Sequence, residues 1–300
     1  MANVNFWLSL GVFIAACAIF LEIALGHRKL KRLIDITPAF FGDPPRVSII
    51  LTALNEAATI EPALRSVLSL NYPNLEIIAI NDRSTDDTPA ILDRLREGHA
   101  ALKVVHISDL PTGWLGKNHA LHQGSKLATG DYLIFTDADV VFDPTVIARA
   151  VTYCQQNELH HLAIFPEVPT KENLFAALLL RFQFSLFLQY KPWKVRAPNK
   201  YFTGIGAFNM VRSREYREAG GHEALRMDVI DDLVLGKIMK AHGFTQEAMV
   251  GAGLISVAWY ESSREMFKGL RKNIFAAFDY KLSKLAALSV FFAIFTLWPW

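Results

Sequence analysis

Beyond Pro45 the chain alternates short, continuously apolar runs with amphipathic stretches. The apolar runs are residues 47–52 (VSIILT), 75–80 (LEIIAI), Leu102–Ile107 (LKVVHI) and 132–136 (YLIFT). Apolar residues at successive rather than alternate positions predict strands buried on both faces of a sheet. The segments between them predict helices over residues 61–70, Thr88–Glu97 and 118–127, with Pro62 in a first turn, where its missing N–H costs nothing. This alternation predicts βαβ units, and hence an α/β fold with a mainly parallel sheet flanked by helices. Asp43-Pro44-Pro45 marks a rigid entry to it.

Ligands of such sheets bind beyond the carboxyl ends of the strands, and polar residues collect there. The first run leads into Ala53, Leu54, Asn55 and Glu56. The second leads into Asn81, Asp82, Arg83, Ser84, Thr85, Asp86 and Asp87, and the fourth into Asp137, Ala138 and Asp139. Such groups are costly to bury unpaired, so these tips must meet water, a ligand or a metal. Asp137 and Asp139 stand two apart on a segment that reads as extended, which puts both carboxylates on one face. Two hard oxygen ligands suit Mg²⁺ or Mn²⁺, which take carboxylates together with substrate phosphates. The plainer alternative is a chance D-x-D in a surface turn.

Asp82 can accept hydrogen bonds from a base or ribose, or it can close an Asx turn while Thr85 or Asp86 caps the next helix. Lys117, flanked by Gly116 at a predicted helix start, suits an anionic phosphate. The run Thr203-Gly204-Ile205-Gly206-Ala207-Phe208 leads into a further strand, and its glycines let backbone approach a ligand closely. Asp231 and Asp232 open an amphipathic helix ending near His242-Gly243. The helix dipole favours acids in a first turn, and neighbouring residues point about 100° apart. One of the pair can therefore cap while the other faces the cleft and takes a proton from an acceptor hydroxyl.

The hydrophobic fraction, 52% of 300 residues, points to lipid contact. Residues 6–25 (FWLSLGVFIAACAIFLEIAL) carry one charge, Glu22, and are long enough to cross a bilayer as a helix. His27, Arg28, Lys29, Lys31 and Arg32 follow. The positive-inside rule puts that flank, and the bulk of the chain, on the cytoplasmic side of the membrane. No basic segment precedes the run and no small-residue cleavage site follows it, so an anchor over residues 1–27 is expected rather than a signal peptide. Residues 285–300 (LAALSVFFAIFTLWPW) predict either a short anchor with interfacial Trp298 and Trp300 or, as expected here, the start of a longer transmembrane segment.

Residues 261–284, with Lys268, Lys272, Lys281 and Lys284 among Phe and Leu, predict an amphipathic interfacial helix. Asn173–Tyr190 reads either as such a helix or as one buried against the sheet. A net charge of +2 speaks against nucleic-acid binding. Cys17 and Cys154 alone make neither a zinc cage nor a disulfide framework.

Taken in order, Ala53-Leu54-Asn55-Glu56, Asn81-Asp82-x-Ser84-x-Asp86-x-Thr88, Gly116-Lys117, Asp137-x-Asp139, the glycines from Gly204, and Asp231-Asp232 resemble the motifs of the family 2 glycosyltransferases, over about residues 45–280. The resemblance implies the GT-A fold, Rossmann-like, with a catalytic domain over residues 45–260. It implies a uridine pocket for a UDP-sugar lined by Ala53, Asn55, Glu56 and Asp82, with Lys117 and Gly204 near the donor. Asp137 and Asp139 would be the metal-binding pair, Asp139 the direct ligand. Asp231-Asp232 matches the family's Glu-Asp pair, which makes Asp232 the base and inversion at the anomeric carbon the outcome.

Members that build long chains or glycosylate ceramide carry Q-x-x-R-W after the base. Here Arg271 stands in for that arginine with no Trp behind it, which weakens a reading as a processive synthase. Trp114-Leu115-Gly116-Lys117 and the two hydrophobic ends resemble the hopanoid- and carotenoid-associated branch. The expected activity is therefore inverting, metal-dependent transfer from a nucleotide-diphosphate sugar to a hydroxyl of a lipid or other membrane-associated acceptor. No obligatory protein partner is expected. Within this class the alternatives are a polyprenyl-phosphate sugar transferase or a polysaccharide synthase. A sugar nucleotidyltransferase would show a Gly- and Arg-rich loop that residues 53–56 lack. A non-enzymatic nucleotide-binding scaffold would be expected to lose Asp137, Asp139 and Asp232, all of which are present.

Overall fold

The structure, a computed structural model, describes residues 2–40, 42–170, 173–198, 200–258, 269 and 280–297. The chain divides into two compact units, Leu30–Lys171 with Pro192–Trp259, and Met1–Lys29 with Glu172–Lys191 and Tyr260–Trp300.

The larger unit is built on strands β1 (Lys31–Arg32), β2 (Val47–Ala53), β3 (Leu75–Asp82), β4 (Leu102–Ile107), β5 (Tyr132–Asp137), β7 (His161–Phe165), β8 (Asn209–Arg212) and β9 (Gln246–Val250). They form one eight-stranded sheet in the order β1-β9-β7-β8-β5-β2-β3-β4. Every pairing is parallel except those of β8 with β5 and β7. A small antiparallel ribbon pairs β6 (Val140–Phe142) with β10 (Ile255–Val257). The flanking helices are α2 (Ile60–Leu68), α3 (Thr88–Glu97), α4 (Gly116–Leu127), α5 (Val146–Gln156), α7 (Ser213–Glu218) and α8 (Asp231–Ala241).

The apolar runs are continuous because the sheet is covered on both sides. Ile49, Leu51, Ile77, Ala79 and Ile134 pack with Ile60, Leu64 and Val67 of α2 and Val151 of α5. Their neighbours Ile50, Ile78, Ile80, Leu133 and Phe135 pack on the opposite face with Leu121 of α4 and with Leu235 and Met239 of α8. Each such aliphatic side chain stabilises the fold by about 1.5–3 kcal/mol on burial. The register pairs Ala53 with Asn81 and Thr52 with Asp137, so the carboxyl ends of β2, β3 and β5 finish level.

At the other end of these strands, buried Glu76 accepts hydrogen bonds from Ser48 Oγ (2.5 Å), Lys103 Nζ (2.6 Å) and the backbone N–H of Thr129 (2.9 Å). Burial alone would raise its pKa. The hydrogen bonds from Lys103, Ser48 and Thr129 outweigh that and lower it to about 2.

Two local expectations are corrected. The strand through Tyr132 ends at Asp137, and Ala138 and Asp139 form a turn, because the chain leaves the sheet to pair β6 with β10. Neither Asp231 nor Asp232 caps α8. Ile230 holds the cap position without a side-chain bond, and both acids lie inside the first turn.

In the other unit, α1 (Ala2–His27) contains an apolar stretch, Asn5–His27, of 23 residues with the length and composition to cross a membrane. At 1.5 Å per residue it spans about 35 Å, against about 30 Å of hydrocarbon. Its one acid, Glu22, lies 2.7 Å from the Nζ of Lys191, which follows α6 (Asn173–Tyr190). A helix at Leu282–Leu297 also belongs to this unit. The interfacial helix expected over residues 261–284 falls largely outside the described residues, as do Arg271, Trp298 and Trp300.

Candidate active site

The polar tips of β2 and β3 are laced together by short hydrogen bonds. Asn55, at a left-handed φ of 58°, places its Oδ1 2.8 Å from the backbone N–H of Thr85. Its own N–H donates to Ser84 Oγ at 3.0 Å. The N–H of Glu56 donates to Thr88 Oγ1 at 2.9 Å, and that of Ala57 to Asp86 Oδ2 at 3.0 Å. Asp86 also takes the Thr88 N–H at the start of α3. The Asx turn belongs to Asn81, whose Oδ1 accepts the Ser84 N–H at 3.3 Å. Asp82 instead holds the guanidinium of Arg83 through two bonds of 2.8 and 3.0 Å. Arg83 also has a left-handed φ, 59°, an uncommon conformation outside glycine. No local sequence signal marks this pairing.

A second set of contacts ties α4 to the loop before α8. The N–H of Leu115 donates to the Arg226 carbonyl at 2.8 Å, and Asn118 Nδ2 donates to the carbonyl of Asp228 at 2.9 Å. Lys117, in the first turn of α4, thereby reaches both β5 and α8. Its Nζ lies 2.8 Å from Asp137 Oδ1 and 3.5 Å from Asp231 Oδ1. Lys117, Asp137, Asp231 and Asp232 line one hollow of about 230 Å³, open to solvent, with Leu121, Phe135, Thr136, Gly206, Asn209 and His222.

The first turn of α8 is held from behind. Asn209 Nδ2 donates to the Asp232 carbonyl at 3.2 Å, and Asn209 Oδ1 accepts from the buried ring of His161. The glycine run lies against the same carbonyl. A Cβ on Gly204 would overlap it, so backbone packs on backbone there.

Electrostatics shifts the acids. Burial raises both Asp231 and Asp232, and for Asp232 the charge of Asp231 adds to the effect. Lys117 opposes both shifts and stands within salt-bridge reach of Asp231. Both carboxyls are nonetheless held above the usual carboxylate range, Asp232 to about 7. Burial would lower Lys117, but Asp137, Asp231 and Asp232 together raise its pKa and keep it charged. Asp139 is pushed up to about 6, by burial first and then by the charges of Asp137 and Glu56.

The predicted residues therefore fall into groups. Lys117, Asp137, Asp231 and Asp232 share the hollow. Asp137 and Glu56 stand within electrostatic reach of Asp139. Asp82 abuts Gly116, the neighbour of Lys117. Ala53 and Asn55 lie at the end of β2 and do not line the hollow, and Gly204 backs the Asp232 turn. Asn209 and His222 were not predicted, because an Asn inside a strand and a His in a turn carry no local signal.

The donor chemistry was tested for a divalent ion. Among the described residues no three His, Cys, Asp or Glu side chains form a ready-made metal cluster. Mg²⁺ or Mn²⁺ bound together with substrate phosphates needs only one or two carboxylates. Asp137 and Asp139, whose mutual repulsion a cation would relieve, fit that requirement.

Among solved structures, the mannosyltransferase PcManGT from Pyrobaculum calidifontis, in complex with GDP-Man and Mn²⁺, shares the fold. The TM-score is 0.64 at 22% identity, over 88% of this chain and 71% of that one. TarS 1–349 of S. aureus in complex with UDP-GlcNAc matches with a TM-score of 0.50 at 16% identity, over 73% and 60%. The expected GT-A fold is thus present.

Among curated proteins, the poly-beta-1,6-N-acetyl-D-glucosamine synthase of Staphylococcus epidermidis is 42% identical over 97 residues, which is 32% of this chain and 22% of that protein. The 4,4'-diaponeurosporenoate glycosyltransferase of Staphylococcus aureus strain MRSA252 is 25% identical over 238 residues, 76% of this chain and 59% of that protein. The chain thus spans less than two thirds of the length of either relative. The profile of Glycosyl transferase family 2 matches residues 48–218, more than half of the sequence. The chain belongs to glycosyl transferase family 2 and is a glycosyltransferase.

Proposed function

We propose that this enzyme moves a sugar from a nucleotide-diphosphate donor, a UDP-sugar first among candidates, to a hydroxyl of a lipid or other membrane-associated acceptor, with inversion. The observation that carries the reading is the meeting of Lys117, Asp137, Asp231 and Asp232 in one hollow beyond the carboxyl ends of the strands.

Asp232 is the base. It takes the proton of the acceptor hydroxyl as that oxygen bonds to the anomeric carbon from the face opposite the leaving group. The bond from carbon to diphosphate oxygen breaks, and the nucleotide diphosphate departs with the electron pair. The charge of Asp231 favours the proton on Asp232 once it has been taken. Among the described residues, Lys117 offers the one cationic side chain lining the hollow. Glu56, Asp82 and the backbone at Ala53 and Asn55 are proposed to hold the nucleoside, with Gly204 shaping the floor beside it. Asp139 and Asp137 would hold Mg²⁺ or Mn²⁺, which when bound neutralises charge developing on the leaving diphosphate.

The apolar α1 supports a membrane location. The orientation proposed from its basic flank puts the catalytic unit on the cytoplasmic side. The relative named for diaponeurosporenoate glycosylation supports a lipid acceptor, and the one named for a polysaccharide supports the polymer alternative. The catalytic domain is proposed over residues 45–260, the anchor over 1–27, an interfacial helix over 261–284 and a further membrane segment from 285. A thermal-shift screen of nucleotide sugars with Mn²⁺ tests the donor assignment. Stabilisation by a nucleotide sugar that is lost with a chelator is expected, and no response to any donor would contradict it.

A further inference from the structure

The imidazole of His222 has no part in this reaction. His222 is 1% exposed, yet it lines the hollow with Lys117 and Asp232. Its placement is constructed. Gly220 and Gly221 take left-handed φ values of 89° and 54° immediately before it. A Cβ on Gly221 would lie 2.9 Å from Cζ of Tyr216, so glycine admits the phenol here. Tyr216 Oη accepts the backbone N–H of His222 at 2.9 Å and stands 2.7 Å from its Nδ1. Phe135 packs edge-on against the ring, with centroids 4.5 Å apart. Nδ1 is therefore engaged, while Nε2 has no hydrogen-bond partner among the described residues.

A nitrogen without a protein partner, on a ring clamped from two sides at the wall of an open hollow, is placed to meet a ligand. The surrounding groups say which kind. Among the described lining residues, Lys117 and the carboxylates of Asp137, Asp231 and Asp232 are all groups that hydrogen-bond the hydroxyls of a neutral polyol. Burial first, and then the charge of Lys117, keep the imidazole neutral, with a pKa of about 3. A hydroxyl can meet Nε2 in either tautomer, as donor or as acceptor.

We infer that His222 is a sugar-recognition residue, hydrogen-bonding through Nε2 to a hydroxyl of the transferred monosaccharide, with Tyr216 as its positioning residue. The inference rests on reading this hollow as the transfer site.

The full chain in nanodiscs with Mn²⁺ is titrated with UDP, UDP-glucose, UDP-galactose, UDP-N-acetylglucosamine, GDP and GDP-mannose. In His222→Asn, the preference for the best nucleotide sugar over its bare nucleotide should fall about tenfold, with bare-nucleotide affinity within about twofold. Tyr216→Phe, which keeps the ring volume, should shift the same ratio in the same direction. Should these variants fail to fold, ¹⁵N-histidine spectra of the wild type give the answer. The His222 Nε2 resonance should move with the nucleotide sugar and stay still with the nucleotide. A wild type that takes a nucleotide sugar while His222→Asn keeps its full preference, or while Nε2 stays unmoved, overturns the inference alone. A wild type that takes none overturns the proposed nucleotide-sugar donor with it.

Discussion

The Nζ of Lys117 stands 2.8 Å from Oδ1 of Asp137, which joins the first turn of α4 to the last residue of β5. The cation also opposes the rise in the pKa values of Asp231 and Asp232. Replacing Lys117 with Met keeps the stem and removes the charge. Both acids then rise further, so Asp232, the proposed base, is protonated at higher pH than in the wild type. The acid limb of the kcat/KM profile should move upward in pH, and activity near neutrality should fall about 100-fold. An unmoved limb would separate Lys117 from the acids functionally.

Asp232 itself fixes the sign of the pH dependence. Its pKa is raised, by burial and then by Asp231, to about 7. A base must be ionised, so rate is lost as pH falls through that value, and the limb should lie near neutrality rather than near 4. Asp232→Asn should lower kcat at least about 1,000-fold while donor binding survives. Because ionising a buried carboxyl costs stability, the same variant should melt no lower than the wild type at pH 8.

Asn209 bonds the carbonyl of Asp232 and not its carboxylate. Asn209→Ala leaves that carbonyl and the His161 ring each short of a partner, at a cost of about 1–3 kcal/mol. Because the turn carrying the base is loosened, kcat should fall with little change in donor KM. A pure KM effect would place Asn209 in donor binding instead.

Gly204→Ala puts a methyl group where the Asp232 backbone already lies. The loop or the start of α8 must shift, so the variant should lose activity and melt at a lower temperature. Combined with Asn209→Ala, its effect should be non-additive, since both act on one carbonyl. Additivity in a double-mutant cycle would contradict that shared target.

Glu76 tests the sheet away from the site. Its folded pKa, about 2, lies below the ordinary glutamate value of 4.5. Its contribution is therefore present above about 4.5 and fades as pH falls toward 2. Glu76→Gln should lower the melting temperature at pH 7 and narrow its gap to the wild type at pH 3. A gap that stays constant with pH would contradict this.

Much of the sheet could be read in the sequence for one reason. A strand buried on both faces must be apolar at every position, so β2, β3, β4 and β5 announce themselves, and α3 and β4 were bounded correctly at both ends. The acids at strand ends were equally visible, because polar groups abruptly following such runs need an explanation. What lay hidden depends on partners distant in sequence. Arg83 claims Asp82, Thr85 claims the side-chain oxygen of Asn55, and the chain turns at Asp139 because residues 255–257 offer β6 a partner. Asn209, His222 and Tyr216 acquire meaning only after β8 and the turn before α8 close around Asp232.

The account turns on these acids serving a single transfer reaction. Its most direct test is nucleotide release from nucleotide sugars by the full chain in nanodiscs with a membrane lipid extract, comparing wild type, wild type with chelator, and Asp232→Asn. The account predicts acceptor-dependent release by the wild type, lost in both other arms, with a glycosylated lipid in the mass spectrum. Undiminished release by Asp232→Asn would contradict it.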